Sequence, residues 1–239
     1  MIVDEILEID PRVFKEKTVL EEKILLWFKL CDAFWMHDGD PQRPHAELTS
    51  GLCSNGYFNC PEVLKYPNLN EILANALVQL LRNNGLPNKV DWVIGSPYAA
   101  ITFSYEVAKA LGAVHGFAEK DSTYSKEKKM LWKRMTIPKD SIVLQVEELI
   151  TTSGTFREIR RAVIEGNAEL INFLPFVGTL VHRPPKLPTS YKISGEEIKV
   201  VGLVETEVWA LDPSECPLCR AGSVRYRPKT HWLELVGKK

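Results

Sequence analysis

The order of hydrophobic and polar residues predicts helices in the first part of the chain. Over 17–34 the apolar residues recur at helical spacing and form one stripe, made of Leu20, Ile24, Trp27, Phe28 and Cys31. A second helix is predicted after a cap at Asn68, and Gly85 with Pro87 ends it. The segment 48–58 between these helices is rich in turn residues and is typical of a hairpin.

From residue 90 onwards, short apolar runs alternate with helical patterns. The runs predict strands at 90–94, 113–118, 141–146, 170–181 and 198–208, and the helical patterns lie at 104–111 and 155–165. Nearly continuous apolar strands that alternate with helices indicate an α/β fold, in which helices cover both faces of a parallel sheet. Because ligands bind at the carboxyl ends of such strands, the loops after Ile94, Ala118 and Val146 are candidate sites.

Composition restricts the class of protein. The chain has 239 residues, of which 45% are hydrophobic and 26% charged, as is usual for a globular domain. Its formal net charge of -1 argues against general nucleic-acid binding. The start lacks the pattern of a signal peptide, and no apolar run is long enough to cross a bilayer. The five cysteines are an odd number, which favours free thiols in a reducing compartment, so we expect a cytoplasmic protein without a membrane partner.

The segment 142–155 carries the most informative pattern. A buried strand leads to two adjacent carboxylates, Glu147 and Glu148, and a polar turn then leads directly into a helix. The N–H groups and the dipole of that helix can hold a phosphate, whereas the carboxylates suit sugar hydroxyls or a phosphate-bound Mg²⁺. The pattern therefore indicates a phosphorylated ribose. An ordinary capped helix with two solvated glutamates is the alternative.

This segment resembles the phosphoribosyl pyrophosphate (PRPP) binding motif of the type I phosphoribosyltransferases. Further segments over about 45–220 are similar to the orotate phosphoribosyltransferases of that family. The resemblance implies a type I phosphoribosyltransferase-like, Rossmann-like parallel sheet flanked by helices, with a small hood. It divides the chain into an amino-terminal helical segment and hood at 1–88, a PRPP-binding core at 89–210, and a tail at 211–239.

The resemblance also implies an activity and its site. The enzyme would transfer the ribose 5-phosphate of PRPP to a nitrogenous base, with orotate expected. Mg²⁺ would assist the release of pyrophosphate. The protein would be a homodimer. The catalytic residues would be Lys120, Glu147 and Glu148. The 5-phosphate loop would be Thr151, Thr152, Ser153, Gly154 and Thr155. The pyrophosphate loop would be Gly95, Ser96 and Pro97, with a possible cis bond at Ser96–Pro97. The base would contact Ser50, Gly51, Phe58 and Arg157.

Four departures from the family pattern keep two alternatives open. Glu148 replaces the usual aspartate, Ser153 replaces a glycine, and Thr49 stands where many members have a lysine. The lid after Lys120 contains no histidine, so either Lys126, Lys128 or Lys129 takes its role or catalysis is weak. The alternatives are a phosphoribosyltransferase for another base and a regulatory protein that binds PRPP without turnover.

Cys216 and Cys219 form a single Cys-x-x-Cys motif near the carboxyl end. A structural zinc site needs four ligands, and His231 is the nearest downstream candidate. A pair of reduced structural thiols is the favoured interpretation, with a zinc site as the alternative. The other four histidines show no metal-binding spacing and are expected to be surface or core residues: His37, His45, His115 and His182.

Overall fold

A computed structural model describes residues 2–15, 17–121, 129–167 and 170–238. The helices in these ranges are α1 (Ile2–Leu7), α2 (Glu21–Leu30), α3 (Cys60–Leu64), α4 (Pro67–Asn83), α5 (Ala100–Leu111), α6 (Gly154–Gly166), α7 (Pro217–Arg220) and α8 (Trp232–Leu235). A 3₁₀ turn follows α1 at Pro11–Phe14. The strands are β1 (Phe34–Met36), β2 (His45–Glu47), β3 (Cys53–Ser54), β4 (Gly56–Phe58), β5 (Trp92–Gly95), β6 (Val114–Phe117), β7 (Glu119–Lys120), β8 (Met130–Leu131), β9 (Ile142–Ile150), β10 (Asn172–His182), β11 (Ser190–Ile193), β12 (Glu196–Glu205), β13 (Ala210–Leu211) and β14 (Arg225–Tyr226).

The main sheet confirms the predicted α/β class. Its strand order is β11-β12-β10-β9-β5-β6, and all neighbouring strands are parallel except the edge pair β11–β12. Most residues of β5 and β9 are buried, as expected for strands that are covered on both faces. Helices α4 and α5 pack together over this sheet and join its largest hydrophobic cluster. Among the described residues no helix is both long and apolar enough to cross a bilayer.

Sequence reasoning predicted five strands in this sheet, and the sixth is β11. Strand β11 forms an antiparallel hairpin with β12 through Ser194 and Gly195, which have φ values of 51° and 89°. Two adjacent residues with positive φ are typical of a two-residue hairpin turn. The Ser-Gly pair was therefore the turn signal that the prediction did not use.

The predicted helices of the first segment exist, but their ends differ. Helix α2 is shorter than the predicted 17–34, because Asp32 adopts a φ of 51° and Phe34 already belongs to β1. Helix α4 begins at Pro67 after Tyr66, so Asn68 is not its cap. The Asn68 amide instead donates to the carbonyl oxygens of Ile6 and Ile9. Asn68 thus ties the amino-terminal helix to the core.

A second, smaller sheet forms the hood. Its strand order is β13-β3-β2-β14, and the antiparallel ribbon β1–β4 lies next to it. Strand β14 comes from the tail and pairs in parallel with β2, and β13 pairs with β3. The tail and the amino-terminal segment therefore share one sheet.

Candidate active site

The predicted phosphate loop lies between the end of β9 and the start of α6. The Ser153 side chain does not cap α6, so the N–H groups of its first turn face the loop without an acceptor from this cap residue. The loop borders a cleft of about 630 Å³, which is lined by Lys129, Leu149, Thr151, Thr152, Gly154, Thr155, Glu158 and Arg161. Free N–H groups, hydroxyls and cationic side chains at one helix start suit an anion such as phosphate.

Ser153 occupies the helix-cap position without backbone strain. Its φ of -74° and ψ of 0° lie in the ordinary right-handed region. Gly154 is not among the residues with positive φ, and a Cβ there would come no closer than 3.7 Å to the Thr152 side chain. The serine that replaces the family's glycine therefore fits this loop.

The two predicted carboxylates lie near the end of β9, where they meet the neighbouring loop. Glu147 is 1% exposed, and the Ser96 hydroxyl donates to Glu148 Oε2 over 3.2 Å. Burial, followed by the nearby charge of Glu148, raises the pKa of Glu147 to about 8. Burial also raises the pKa of Glu148. An acidic pair with one buried and one half-buried carboxyl favours a cation or a hydroxyl donor as its ligand.

A polar network inside the sheet holds Glu147 in place. The Gln145 amide nitrogen donates to Glu147 Oε1 over 3.3 Å, and Arg160 Nε donates to Gln145 Oε1 over 3.0 Å. Arg160 Nη2 reaches the carbonyl oxygens of Leu174 and Phe176, over 2.9 and 3.3 Å, where the register of β10 against β9 is interrupted. The network connects the first turns of α6 to the interrupted part of β10.

The predicted pyrophosphate loop follows β5 and meets Lys120. Ser96 is buried beside Glu148, and the Lys120 ammonium lies 4.7 Å from the centre of the Tyr98 ring. The charge of Lys120 partly offsets the rise in the pKa of Glu148 that burial causes. The cis peptide bond joins Pro97 to Tyr98, so the expectation of a cis Ser96–Pro97 bond was wrong. Lys120 therefore lies beside the loop that was predicted to bind pyrophosphate.

The predicted lid begins and ends as a two-stranded ribbon. Strands β7 and β8 pair antiparallel, and the Met130 N–H donates to Glu158 of α6 over 3.0 Å. Lys129 borders the phosphate cleft at the end of this ribbon. Lys126 and Lys128 lie outside the described residues, so their predicted role stays a prediction.

The predicted base-contacting residues do not form one cluster. Ser50 and Gly51 lie on the turn between β2 and β3, where Gly51 has a φ of 85°. Phe58 is 2% exposed and packs against the rings of Phe28 and Phe34, with centroids 5.5 and 4.5 Å away. Phe58 is therefore a core residue in this structure, and its predicted stacking on a base finds no support here.

Arg157 and Arg183 offer two cations for an acidic ligand. Arg157 is exposed on the first turn of α6 and borders a cleft that also contains Phe173 and Ile193. Arg183 directly follows β10 and is 5% exposed, and its Nε has no hydrogen-bond partner among the described residues. Burial raises the pKa of both Tyr57 and Cys60, and the positive charge of Arg183 partly offsets these rises.

Sequence reasoning missed Arg183. Three strand ends were considered as sites, and the end of the fourth predicted strand was not among them. A charged residue directly after an apolar strand was the available signal, because that position lies at the same sheet edge as the end of β9. The Arg183 N–H indeed donates to the Ile150 carbonyl over 2.9 Å.

Comparisons with known proteins agree with this arrangement. The chain is 33% identical over 184 residues to an orotate phosphoribosyltransferase of Caldicellulosiruptor bescii, which covers 77% of this chain and 87% of that protein. It is 30% identical over 213 residues to the orotate phosphoribosyltransferase of Caldanaerobacter subterraneus, covering 89% and 99% of the two chains. No family model matches the chain.

Solved structures show the same fold. A Leishmania donovani UMP synthase aligns with a TM-score of 0.54 and 16% identity, over 80% of this chain and 37% of that chain. The adenine phosphoribosyltransferase of Leishmania tarentolae aligns with a TM-score of 0.51 and 12% identity, over 77% and 86% of the two chains. The fold is that of the type I phosphoribosyltransferases, and the sequence relatives show that this chain belongs to the orotate phosphoribosyltransferase family.

Proposed function

We propose that this protein transfers the ribose 5-phosphate of PRPP to orotate and releases pyrophosphate. One observation carries the proposal: the uncapped start of α6, the acidic pair Glu147–Glu148 and the Ser96–Lys120 region meet at one edge of the sheet, in a chain of this family. In the reaction, the bond between the anomeric carbon and pyrophosphate breaks, and a bond to a ring nitrogen of the base forms.

The chain's contribution is positioning and electrostatic stabilisation. Residues 151–155 would hold the 5-phosphate through N–H groups and hydroxyls. Glu147 and Glu148 would accept hydrogen bonds from the ribose hydroxyls and stabilise positive charge that develops on the sugar. Lys120 would leave the face of Tyr98 and pair with the departing pyrophosphate.

The donor set at this edge fits Mg²⁺. Glu147 and Glu148 supply carboxyl oxygens, which are the ligands that Mg²⁺ prefers, and a bound cation would favour their ionised form against the burial that raises their pKa. When bound together with PRPP, the metal would neutralise pyrophosphate charge. The residues expected to contact it, directly or through sugar hydroxyls, are these two glutamates.

An acidic base needs a cation at its carboxylate, and Arg183 meets that requirement. Arg183 is 5% exposed, and its Nε has no partner among the described residues, so a bound carboxylate would supply the missing acceptor. Arg157 remains the alternative that the family resemblance implies. The two arginines lie in different parts of the structure, so substituting each one separately distinguishes their roles.

Pyrophosphate release tests the proposed activity. We would incubate the full-length protein with PRPP, Mg²⁺ and, in separate reactions, orotate, uracil, adenine, guanine or hypoxanthine. Turnover restricted to orotate supports the proposal. Turnover with another base would assign a different acceptor, and PRPP-dependent thermal stabilisation without turnover on any base would indicate a regulatory protein.

Substitution of Arg183 tests the base site. Arg183→Gln is expected to raise the KM for orotate at least about tenfold, because hydrogen bonds to charged groups contribute roughly 1.5–3 kcal/mol, and to leave the KM for PRPP nearly unchanged. Without ligands the variant is expected to melt at the same or a higher temperature, because an unpartnered buried charge is removed. Arg157→Gln is the matched variant. A larger effect on the orotate KM for Arg157→Gln than for Arg183→Gln would return the role to Arg157.

Three further features remain predictions that family membership supports. They are the division of the chain at residues 88 and 210, a homodimer whose lid reaches the partner's site, and a cytoplasmic location. Sedimentation velocity of the full-length protein tests the dimer.

A further inference from the structure

Four potential metal ligands converge in the hood. They are the imidazole of His45 and the thiols of Cys53, Cys216 and Cys219, and their ligating atoms all lie within 4.8 Å of one another. His45 and Cys53 lie on β2 and β3, whereas Cys216 is the cap of the short tail helix α7 and Cys219 lies within that helix. Residues that are more than 160 positions apart in the chain thus meet at one point.

The distances are those of a tetrahedral site. Cys53 Sγ lies 3.5 Å from Cys219 Sγ, and His45 Nε2 lies 3.6 Å from Cys216 Sγ and 3.4 Å from Cys219 Sγ. With Zn–S of about 2.3 Å and Zn–N of about 2.0 Å, tetrahedral geometry requires edges of roughly 3.8 Å between sulfurs and 3.5 Å between sulfur and nitrogen. The observed edges differ from these by a few tenths of an ångström.

The hydrogen bonds around His45 leave the correct nitrogen for a metal. Ser223 Oγ lies 2.6 Å from the Arg43 carbonyl oxygen, to which it donates its only proton. It must therefore accept from His45 Nδ1, 2.8 Å away. Nδ1 then carries the ring proton, and the lone pair of Nε2 points at the three sulfurs. An outer hydrogen bond of this kind fixes the tautomer of metal-binding histidines.

The backbone of the tail motif favours a thiolate at Cys216. Cys216 is the cap of α7, and the Cys219 N–H donates to Cys216 Sγ over 3.4 Å. The site is also closed, because His45, Cys53 and Cys216 are each 0% exposed. Four protein ligands without an open position are typical of structural zinc rather than catalytic zinc.

We propose that His45, Cys53, Cys216 and Cys219 bind one structural Zn²⁺ that joins the tail to the hood. The sequence had favoured reduced thiols and had offered His231 as the nearest ligand. His231 instead stacks on Tyr226, with ring centroids 5.0 Å apart. His45 was overlooked because no local spacing links it to the cysteine pair, and only strand pairing brings them together.

The metal would also order the turn that carries Ser50 and Gly51. Cys53 follows Gly51 by two residues, and the hairpin β2–β3 fixes both ends of this turn. A metal held by Cys53 and by the tail therefore restrains the predicted base-contacting segment. The proposal does not depend on the reaction, since metal content is measured without substrate.

Metal analysis of the full-length protein tests the proposal. We would express the chain in zinc-supplemented medium, purify it without chelators, and measure metals by mass spectrometry. We expect one zinc per chain in the wild type and in Cys31→Ser, whose thiol lies outside the cluster. We expect loss of that zinc in Cys216→Ser and in Cys53→Ser.

Cobalt provides a readout for variants that fold poorly. Co²⁺ added to wild-type protein that has been stripped of metal is expected to give thiolate charge-transfer bands and the intense visible bands of a tetrahedral site. His45→Ala should weaken or shift these bands, and Cys31→Ser should not. Zinc content at background in the wild type, with no cobalt spectrum, would overturn the proposal, and so would a Cys53–Cys219 disulfide in freshly purified protein.

Discussion

Glu147 is a carboxyl group that the fold surrounds completely, and its ionisation has a cost in stability. The Gln145 amide and the Arg160 network orient it, but its pKa is raised to about 8 by burial. A carboxyl whose pKa is higher in the folded than in the unfolded state stabilises the fold while it is protonated. That contribution is fully present below the unfolded value near 4.5 and is lost as the pH rises through about 8.

The pH dependence of Glu147→Gln follows from this sign. Near pH 5 the variant and the wild type are expected to have similar melting temperatures, because both side chains are neutral. Near pH 9 the variant is expected to melt several degrees or more above the wild type, because the wild type must bury a charge. Differential scanning calorimetry without substrate or Mg²⁺ measures both.

Glu158→Gln is the control with the opposite sign. The hydrogen bond from Arg161 lowers the pKa of Glu158, so this carboxylate stabilises the fold above its unfolded value and stops doing so as the pH falls. Glu158→Gln should therefore destabilise the protein at neutral pH. A difference between Glu147→Gln and the wild type that did not change with pH would contradict the buried ionisation.

At the scale of elements, the junction of β5 with α5 depends on a residue without a side chain. A Cβ at Gly95 would overlap the Ser104 hydroxyl and lie 2.8 Å from the Ser104 Cβ. Ser104 is 0% exposed, and its hydroxyl is 2.8 Å from His115 Nε2 of β6. The loop that begins at Gly95 is therefore positioned by close packing of strand against helix.

Gly95→Ala is expected to destabilise the protein by about 1–3 kcal/mol, the usual effect of overpacking a well-filled core. Urea denaturation followed by circular dichroism measures the change. Combining Gly95→Ala with Ser104→Gly should cost less than the sum of the two single substitutions, because the clash is removed. Strict additivity would mean that the two residues do not compete for the same space.

Elements with a regular pattern could be predicted from the sequence, and contacts between distant residues could not. The central strands and α6 were predicted within a few residues, because apolar runs and helical spacing are local signals. The convergence of Glu148, Ser96 and Lys120 followed from the rule on strand ends. Tertiary packing decides the burial of Phe58, the position of Arg183 and the metal-ligand role proposed for His45. The spacing of residues along the sequence does not report such contacts.

At the scale of the whole molecule, the main sheet and the hood sheet differ in strand length and in burial. The main sheet has long strands buried on both faces, whereas the hood strands contain two or three residues each. The hood also joins the amino-terminal segment to the tail, since β2 and β14 are neighbours. Short strands with small hydrophobic clusters open more readily than a central core.

Hydrogen exchange of the full-length protein should therefore separate two units. Amides of β5, β9 and β10 are expected to exchange slowest, and those of β2, β3 and β14 faster and together. Cys216→Ser should accelerate exchange in 45–54 and in the tail while leaving 142–150 unchanged. Acceleration spread evenly over both sheets would contradict this division. The measurement is mass spectrometry of peptides after exchange at fixed pH.

The hydrogen bonds from Arg160 to the interrupted part of β10 have a consequence for substrate recognition. The buried Arg160 guanidinium bonds α6 to the sheet, so we expect the amino terminus of α6 to keep its position when a ligand binds or leaves. Little conformational entropy is then spent on this side of the cleft. Opening that admits substrate is therefore expected from the β7–β8 ribbon, beside which Lys129 borders the cleft.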